Sequence, residues 1–291
     1  MGVAARQPVS LTTLLRLGRV SNLPTVWTNV LAGTVLAGAE WRNWKTAAVL
    51  VAMSLFYVGG MYLNDYFDRS VDARERPERP IPAGEIAAEA VAAGGFGLLL
   101  AGIVVLLPLG TGAALAGVLL ALAIVGYDAF HKGNPLAPLV MGLCRALVYA
   151  GAAAAALGSV DGTVLVAALV LLAYVAGLTY AARQESLDQV GNLWPLVLLA
   201  APLVLALPAV SQGPIALAIY LVLVGWTAYG VVLLARRPFA GAVSRAVALF
   251  IAGISLVDAA LMAGAGAIAA ALIATAGCGA TLLLQRSIAG T

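Results

Sequence analysis

The chain has 291 residues, a formal net charge of +3, 63% hydrophobic residues and a mean hydropathy of +1.01. Soluble domains are about 45–50% apolar, so these values exclude a soluble globular fold and make the bilayer the main solvent. A single histidine, His131, and two distant cysteines, Cys144 and Cys278, exclude a His-rich metal site, a Ser-His-Asp triad and a disulfide framework, and no basic surface with interleaved aromatics is present to bind nucleic acid.

The N-terminal MGVAARQPVSLTTLLRLGRVS is basic and shows no cleavage-like small-residue site after a short apolar core. It lacks the Ser or Thr that a myristoylation signal needs at the position of Arg6. Residues 1–20 read as a retained cytoplasmic arm. Beyond it, apolar spans are predicted at 22–40, 46–63, 86–108, 111–127, 136–157, 161–182, 192–209, 213–235, 243–263 and 267–285. The fourth and seventh are short, and only Gly264-Ala265-Gly266 separates the last two, so nine or ten transmembrane helices are expected. A β-barrel is excluded because the spans are continuously apolar rather than alternating. Residues 1–291 read as one all-α, polytopic membrane domain.

Basic residues set the orientation. With the N-terminus inside, Arg6, Arg16, Arg19, Arg69, Arg74, Arg76, Arg79, Lys132, Arg183, Arg236, Arg237, Arg245 and Arg286 face the cytoplasm, 13 in all, and only Arg42 and Lys45 lie outside. Arg145 falls within a span. The segments after spans 2, 4, 6 and 8 then share the cytoplasmic face, which is where chemistry is expected.

NDYFDRSVDARERPERPIPAG (residues 64–84), directly after span 2, holds nine of the chain's 29 charged residues. Asp65, Asp68 and Asp72 are spaced i, i+3, i+7, within an arc of about 60° on a helix and over about 10 Å of its length. Carboxylates so close repel one another unless cations lie between them. Hard oxygen donors in this pattern, with the Asn64 amide one turn before Asp68, suit Mg²⁺ bridging to substrate phosphates. Pro77 disfavours helix at Arg76, so the helix should stop near Arg74. The stiff RPERPIPAG loop that follows carries Arg76 and Arg79, which can grip anionic oxygens bidentately. Acids on a helix end beside arginines on the adjoining loop make a diphosphate site. A loop that served only to orient the protein would need no such pattern.

A faint internal repeat, displaced by 117 residues, aligns YVGGMYLNDYFDR with YVAGLTYAARQES. Tyr57 meets Tyr174, Gly60 meets Gly177 and Asp68 meets Glu185, whereas Asn64 and Asp65 meet Ala181 and Ala182. Two pseudo-repeated halves are therefore expected, with the ends of helices 2 and 6 facing one another.

The 64–72 motif with RPxRPIPxG behind it resembles the first signature of the UbiA superfamily of intramembrane prenyltransferases. Arg19-Val20-Ser21-Asn22 before the first span, the polar ends of spans 2 and 6 and the overall length extend the resemblance to essentially the whole chain. It implies a helical bundle around a central cavity, in which Mg²⁺ holds an isoprenoid diphosphate and an acceptor captures the allylic cation. Carried onto this sequence, it places metal ligation on Asn64, Asp65, Asp68, Asp72, Glu185 and Asp188. Diphosphate contacts fall on Asn22, Asn64, Arg76, Arg79, Lys132 and Arg183, and catalysis on Asp65, Asp68 and Arg183. The superfamily's second signature, paired Asp after span 6, is replaced here by TYAARQESLD (residues 179–188). Glu185 and Asp188 can share a face, and Arg183 either contacts diphosphate or partly replaces a second metal; the alternative is a decayed motif that only caps the helix. This pattern is closer to an outlying, EboC-like branch than to the quinone-pathway enzymes. The expected activity is Mg²⁺-dependent prenyl transfer to a lipophilic or aromatic acceptor in a bacterial plasma membrane. A terpene cyclase of the same fold and a non-catalytic transport or scaffold protein are the alternatives. Arg145 and Asp258, ionisable groups within spans, are either functional or paired with each other. His131 reads as a loop residue.

Overall fold

The computed structural model describes residues 9–184 and 191–290, and all the regular structure among them is helical. In chain order the helices are α1 (Leu11–Leu17), α2 (Leu23–Leu36), α3 (Trp44–Glu75), α4 (Ala88–Leu106), α5 (Thr111–Phe130), α6 (Ala137–Leu157), α7 (Gly162–Ala182), α8 (Ala201–Leu205), α9 (Pro214–Arg236), α10 (Ala242–Gly264) and α11 (Ile268–Leu284). Eight segments among the described residues are long and apolar enough to cross a bilayer. The 14-residue α2 and the 17-residue α11 are shorter apolar helices, so each of the ten expected spans corresponds to a helical segment. The protein is a multi-pass integral membrane protein.

One segment departs from its expected span. The span at 192–209 is not one α-helix: a 3₁₀ stretch at Trp194–Ala200, the short α8 and a second 3₁₀ stretch at Leu207–Ser211 follow one another. Pro195, Pro202 and Pro208 explain the break, since each lacks an N–H and crowds the preceding turn. As the acidic motif's helical spacing implies, α3 continues unbroken past its apolar run to Glu75, one residue beyond the expected stop near Arg74. There Arg76 leaves helical geometry at φ −144°, as the following proline requires.

Apolar packing falls into two clusters that meet along α2 and α6, one with α3, α4 and α5 and the other with α7, α9, α10 and α11. Most of α10 is enclosed, with 83% of its spanning window buried against 28% for α4 and α5, so α10 is the central post and the latter two face lipid. Close approach in a membrane relies on small residues. A Cβ at Gly142 of α6 would come within 2.5 Å of the Leu172 carbonyl oxygen of α7, so only glycine permits that contact.

The loop beyond α3 is folded rather than loose. Arg79, Ala83 and Glu85 donate backbone N–H bonds to Arg76, Arg79 and Pro80. The short α1, capped by Ser10, clamps it: Thr13 Oγ1 donates to Glu85 Oε2 at 2.7 Å, and Arg16 reaches Glu85 Oε1 at 3.1 Å and the Glu78 carbonyl at 3.0 Å. The described part of the N-terminal arm thus braces the arginine loop.

Candidate active site

A cavity of about 510 Å³ opens at the end of the bundle where α3, α5 and α7 finish and α2 and α6 begin. One stripe of α3 (Tyr57, Met61, Asn64, Asp68, Val71 and Glu75) lines it, with Asp72 at the stripe's edge. Six cationic side chains (Arg19, Arg76, Arg79, Lys132, Arg145 and Arg183) and three carboxylates (Asp68, Asp72 and Glu75) face the space. That excess of positive charge suits a polyanion. A second, almost wholly apolar pocket of about 80 Å³ adjoins it, sharing Tyr57, Met61, Tyr127, Met141 and Arg145 and continuing past Val26, Met53, Phe56, Leu120, Ile124 and Val148.

The acidic motif is held by cations that come from elsewhere in the chain. Asp68 points into the cavity, with Lys132 Nζ at 2.8 Å from one oxygen and His131 Nε2 at 3.6 Å from the other. His131 is the C-cap of α5 and stacks on Tyr127, so it is a wall of the site rather than a loop residue. Asp72 binds Arg79 at 2.8 Å. Asp65 shares that guanidinium at 3.3 Å and takes Arg19 at 2.9 Å, but it is buried and does not line the cavity. Although the three carboxylates share a helix face, among the described residues no three Asp, Glu, His or Cys side chains converge as a ready cation cage. The oxygen donors that do face the space, on Asn64, Asp68 and Asp72, have the hard character that Mg²⁺ prefers.

Of the other expected residues, Arg76 and Arg79 line the cavity from the loop and Arg183 from the end of α7, where it donates to the Asn134 carbonyl at 2.8 Å. Asn22 lines it too, its amide held by Gly290 O at 2.9 Å and Gln285 Nε2 at 3.0 Å. Glu185 and Asp188 lie outside the described residues.

Arg19 and Asp128 were not singled out as site residues from the sequence, and Arg145 was read there only as functional or paired with Asp258. Arg19 adopts a left-handed backbone with φ 41°, unfavourable for a side chain by about 1–2 kcal/mol; the hydrogen bonds to Asn64 at 3.2 Å and Asp65 offset it. Burial acts to lower the pKa of Arg19, but the nearby carboxylates, Asp65 above all, outweigh it and raise the value above normal. Asp128 accepts Asn64 Nδ2 at 3.2 Å on Oδ1, and its buried Oδ2, in the wall of the apolar pocket, has no partner among the described residues. Arg145 lies where the two spaces meet. The available signal for the last two was their place as ionisable groups in apolar helices.

The sequence profile of the UbiA prenyltransferase family matches residues 26–251, well over half of the chain. The chain belongs to this family. Among curated UbiA relatives, the digeranylgeranylglyceryl phosphate synthase of Methanothrix thermoacetophila is 33% identical over 126 residues, covering 43% of this chain and 47% of that protein. The protein of the same name from Methanopyrus kandleri is 40% identical over 72 residues, 25% of this chain and 26% of the relative. The matched regions thus span about half or less of these relatives' length. The apo structure of a UbiA homologue from Aeropyrum pernix K1 superposes with a TM-score of 0.64 at 20% identity, over 81% of this chain and 96% of that one. A structure described as digeranylgeranylglyceryl phosphate synthase gives 0.61 at 20% identity, over 88% and 98%. Both show the UbiA fold for this chain.

Proposed function

We propose that this UbiA family member is a Mg²⁺-dependent prenyltransferase that joins the prenyl group of an isoprenoid diphosphate to the hydroxyl of a prenylated glyceryl phosphate, releasing diphosphate. The observation that carries the reading is the direct junction of a cation-rich cavity with an apolar pocket. A substrate with an anionic head and a hydrocarbon tail fits that junction. The acceptor expected from the sequence was lipophilic or aromatic. The curated relatives are named for a glyceryl phosphate product, so a lipid glyceryl phosphate takes the place of the aromatic class in this proposal.

In this reaction the bond from the allylic carbon to the diphosphate oxygen breaks, and its electron pair leaves with the diphosphate. The acceptor oxygen forms the new C–O bond, and its proton passes to the departing diphosphate. Arg76, Arg79, Lys132 and Arg183 hold the diphosphate and stabilise the charge it gains on leaving. Lys132 is half-exposed and bonded to Asp68, so it can turn from that carboxylate to a phosphate oxygen. Asn64, Asp68 and Asp72 would hold Mg²⁺, with Asp65 and Arg19 fixing the helix face behind them; the metal adds positive charge at the leaving group. The apolar pocket houses the start of the chain and keeps water from the allylic cation.

The test is to incubate purified protein with Mg²⁺, a series of prenyl diphosphates and a monoprenylglyceryl phosphate, and to weigh the lipid products. The proposal expects a product heavier by one prenyl group. A cyclised hydrocarbon formed without acceptor supports the cyclase alternative, and no diphosphate release supports the scaffold alternative. Orientation is tested separately: cysteines introduced at Arg74, Lys132 and Arg237 should all react with an impermeant thiol reagent from the cytoplasmic side. Labelling from the opposite side would overturn the single-face topology.

A further inference from the structure

Arg145 differs from Arg19, Arg79 and Lys132. It sits within the α6 span, at the inner end where the polar cavity meets the apolar pocket. Arg19, Arg79 and Lys132 each touch a carboxylate. Among the described residues, no carboxylate lies in ion-pair contact with Arg145. Its Nη1 donates to Asn29 Oδ1 at 2.9 Å and its Nη2 to Thr25 Oγ1 at 3.1 Å, both neutral acceptors from α2. A guanidinium has five N–H donors, so the remaining ones are available to the space it lines.

The neutral anchor is itself held in place. Asn29 turns its amide nitrogen onto both oxygens of Asp258 in α10, at 3.0 and 2.8 Å, which leaves its carbonyl oxygen facing Arg145. Asp258 is fully buried and also accepts the Tyr149 hydroxyl at 2.5 Å. The carboxylate therefore compensates the guanidinium only from behind an intervening amide. A direct Asp–Arg contact would neutralise Arg145; this relay positions it and leaves its field directed at the cavity. A charge in a span without a direct partner is costly, and an anionic ligand offsets that cost.

We propose that Arg145 binds the phosphate monoester of the acceptor, at a subsite distinct from the one that holds the donor diphosphate. The inference rests on the transferase reading above. The linings argue for two subsites: of the six cations that face the cavity, Arg145 alone also lines the apolar pocket, beside Tyr57, whereas Arg76, Arg79, Lys132 and Arg183 line the polar space only. A diphosphate held by those four cations leaves Arg145 to a second anion, and a glyceryl unit can bring its hydroxyl toward the donor carbon while its phosphate stays at Arg145. Asn29, Asp258 and Tyr149 are positioning residues for this guanidinium.

The experiment compares the full-length protein with Arg145→Met and Arg145→Lys, at saturating prenyl diphosphate and Mg²⁺. The varied acceptor is a monoprenylglyceryl phosphate or the same lipid without its phosphate. The wild type should prefer the phosphorylated acceptor in kcat/KM by about 10–100-fold, the scale of charge-assisted hydrogen bonds. Arg145→Met should erase that preference and leave KM for the prenyl diphosphate within about threefold, while Arg145→Lys, which keeps the charge without the planar fork, should retain part of it. Loss of donor KM with acceptor preference intact would place Arg145 in the diphosphate site and overturn the proposal. Direct calorimetric binding, without turnover, separates this subsite from the transferase reading. The wild type should bind the phosphorylated lipid more tightly than its alcohol, inorganic phosphate should compete, and Arg145→Lys should weaken that binding while binding of inorganic diphosphate is kept. Equal binding of lipid phosphate by wild type and Arg145→Lys would refute the subsite even if prenyl transfer is confirmed.

Discussion

The ends of α3 and α7 are related by the internal repeat, yet the structure uses them differently. At the α3 end, Asn64, Asp65, Asp68 and Asp72 are all engaged by cationic or polar side chains from α1–α2, α5 and the RPxRPIPxG loop. At the α7 end the equivalents of Asn64 and Asp65 are Ala181 and Ala182, and the cavity receives Thr179, Ala182 and Arg183. The paired tyrosines diverge in the same way. Tyr57 lines both spaces and donates to the Arg19 carbonyl at 3.3 Å, while Tyr174 is fully buried and donates to the Phe250 carbonyl at 3.0 Å. One copy of the repeat carries acids paired with cations; the other contributes a cation to the cavity and otherwise packs the core.

Four substitutions sharpen this contrast. Asp68→Ala removes the carboxylate that the cavity and Lys132 share, and should lower turnover by about 10³-fold, the scale of losing several kcal/mol of stabilisation at a metal-assisted leaving group. Its elution on size exclusion should match the wild type. Arg79→Ala leaves Asp65 and Asp72 facing each other without their common partner, and a fall of about 10²-fold in kcat is expected. On the α7 side, Arg183→Lys should cost about tenfold in kcat/KM for the prenyl diphosphate, because a point charge replaces a bidentate fork; no change would show that the α7 end only caps its helix. Least affected of all should be Tyr174→Phe, whose lost hydrogen bond costs about 1 kcal/mol of stability. A lowered melting temperature with unaltered KM values is the expected result.

How much of this was legible in the sequence follows from the range of the interactions involved. The end of α3 was readable because Pro77 acts on its own neighbour, and the gathering of cations at one end of the bundle was readable because charge excess is a property of loops. The break at 194–211 was carried by three prolines inside an apolar run whose hydropathy alone reads as one span. The roles of Arg19 and Arg145 were not readable, since they depend on partners 46 and 116 residues away, Asp65 and Asn29. Asp68, Lys132 and Arg183 were expected at the site and the structure places all three around one cavity. Asp65 was expected beside Asp68 as a ligand; the structure pairs it with Arg79 of the adjoining loop and with Arg19, 46 residues away, which no local spacing could locate.

The most direct test of the account is the release of diphosphate from an isoprenoid diphosphate by purified protein, measured with and without a monoprenylglyceryl phosphate, in Mg²⁺ and after chelation. The account predicts release that depends on both acceptor and Mg²⁺, equals the prenylated lipid formed mole for mole, and is lost in Asp68→Ala. Equal release without acceptor, or release that persists in Asp68→Ala, would contradict it.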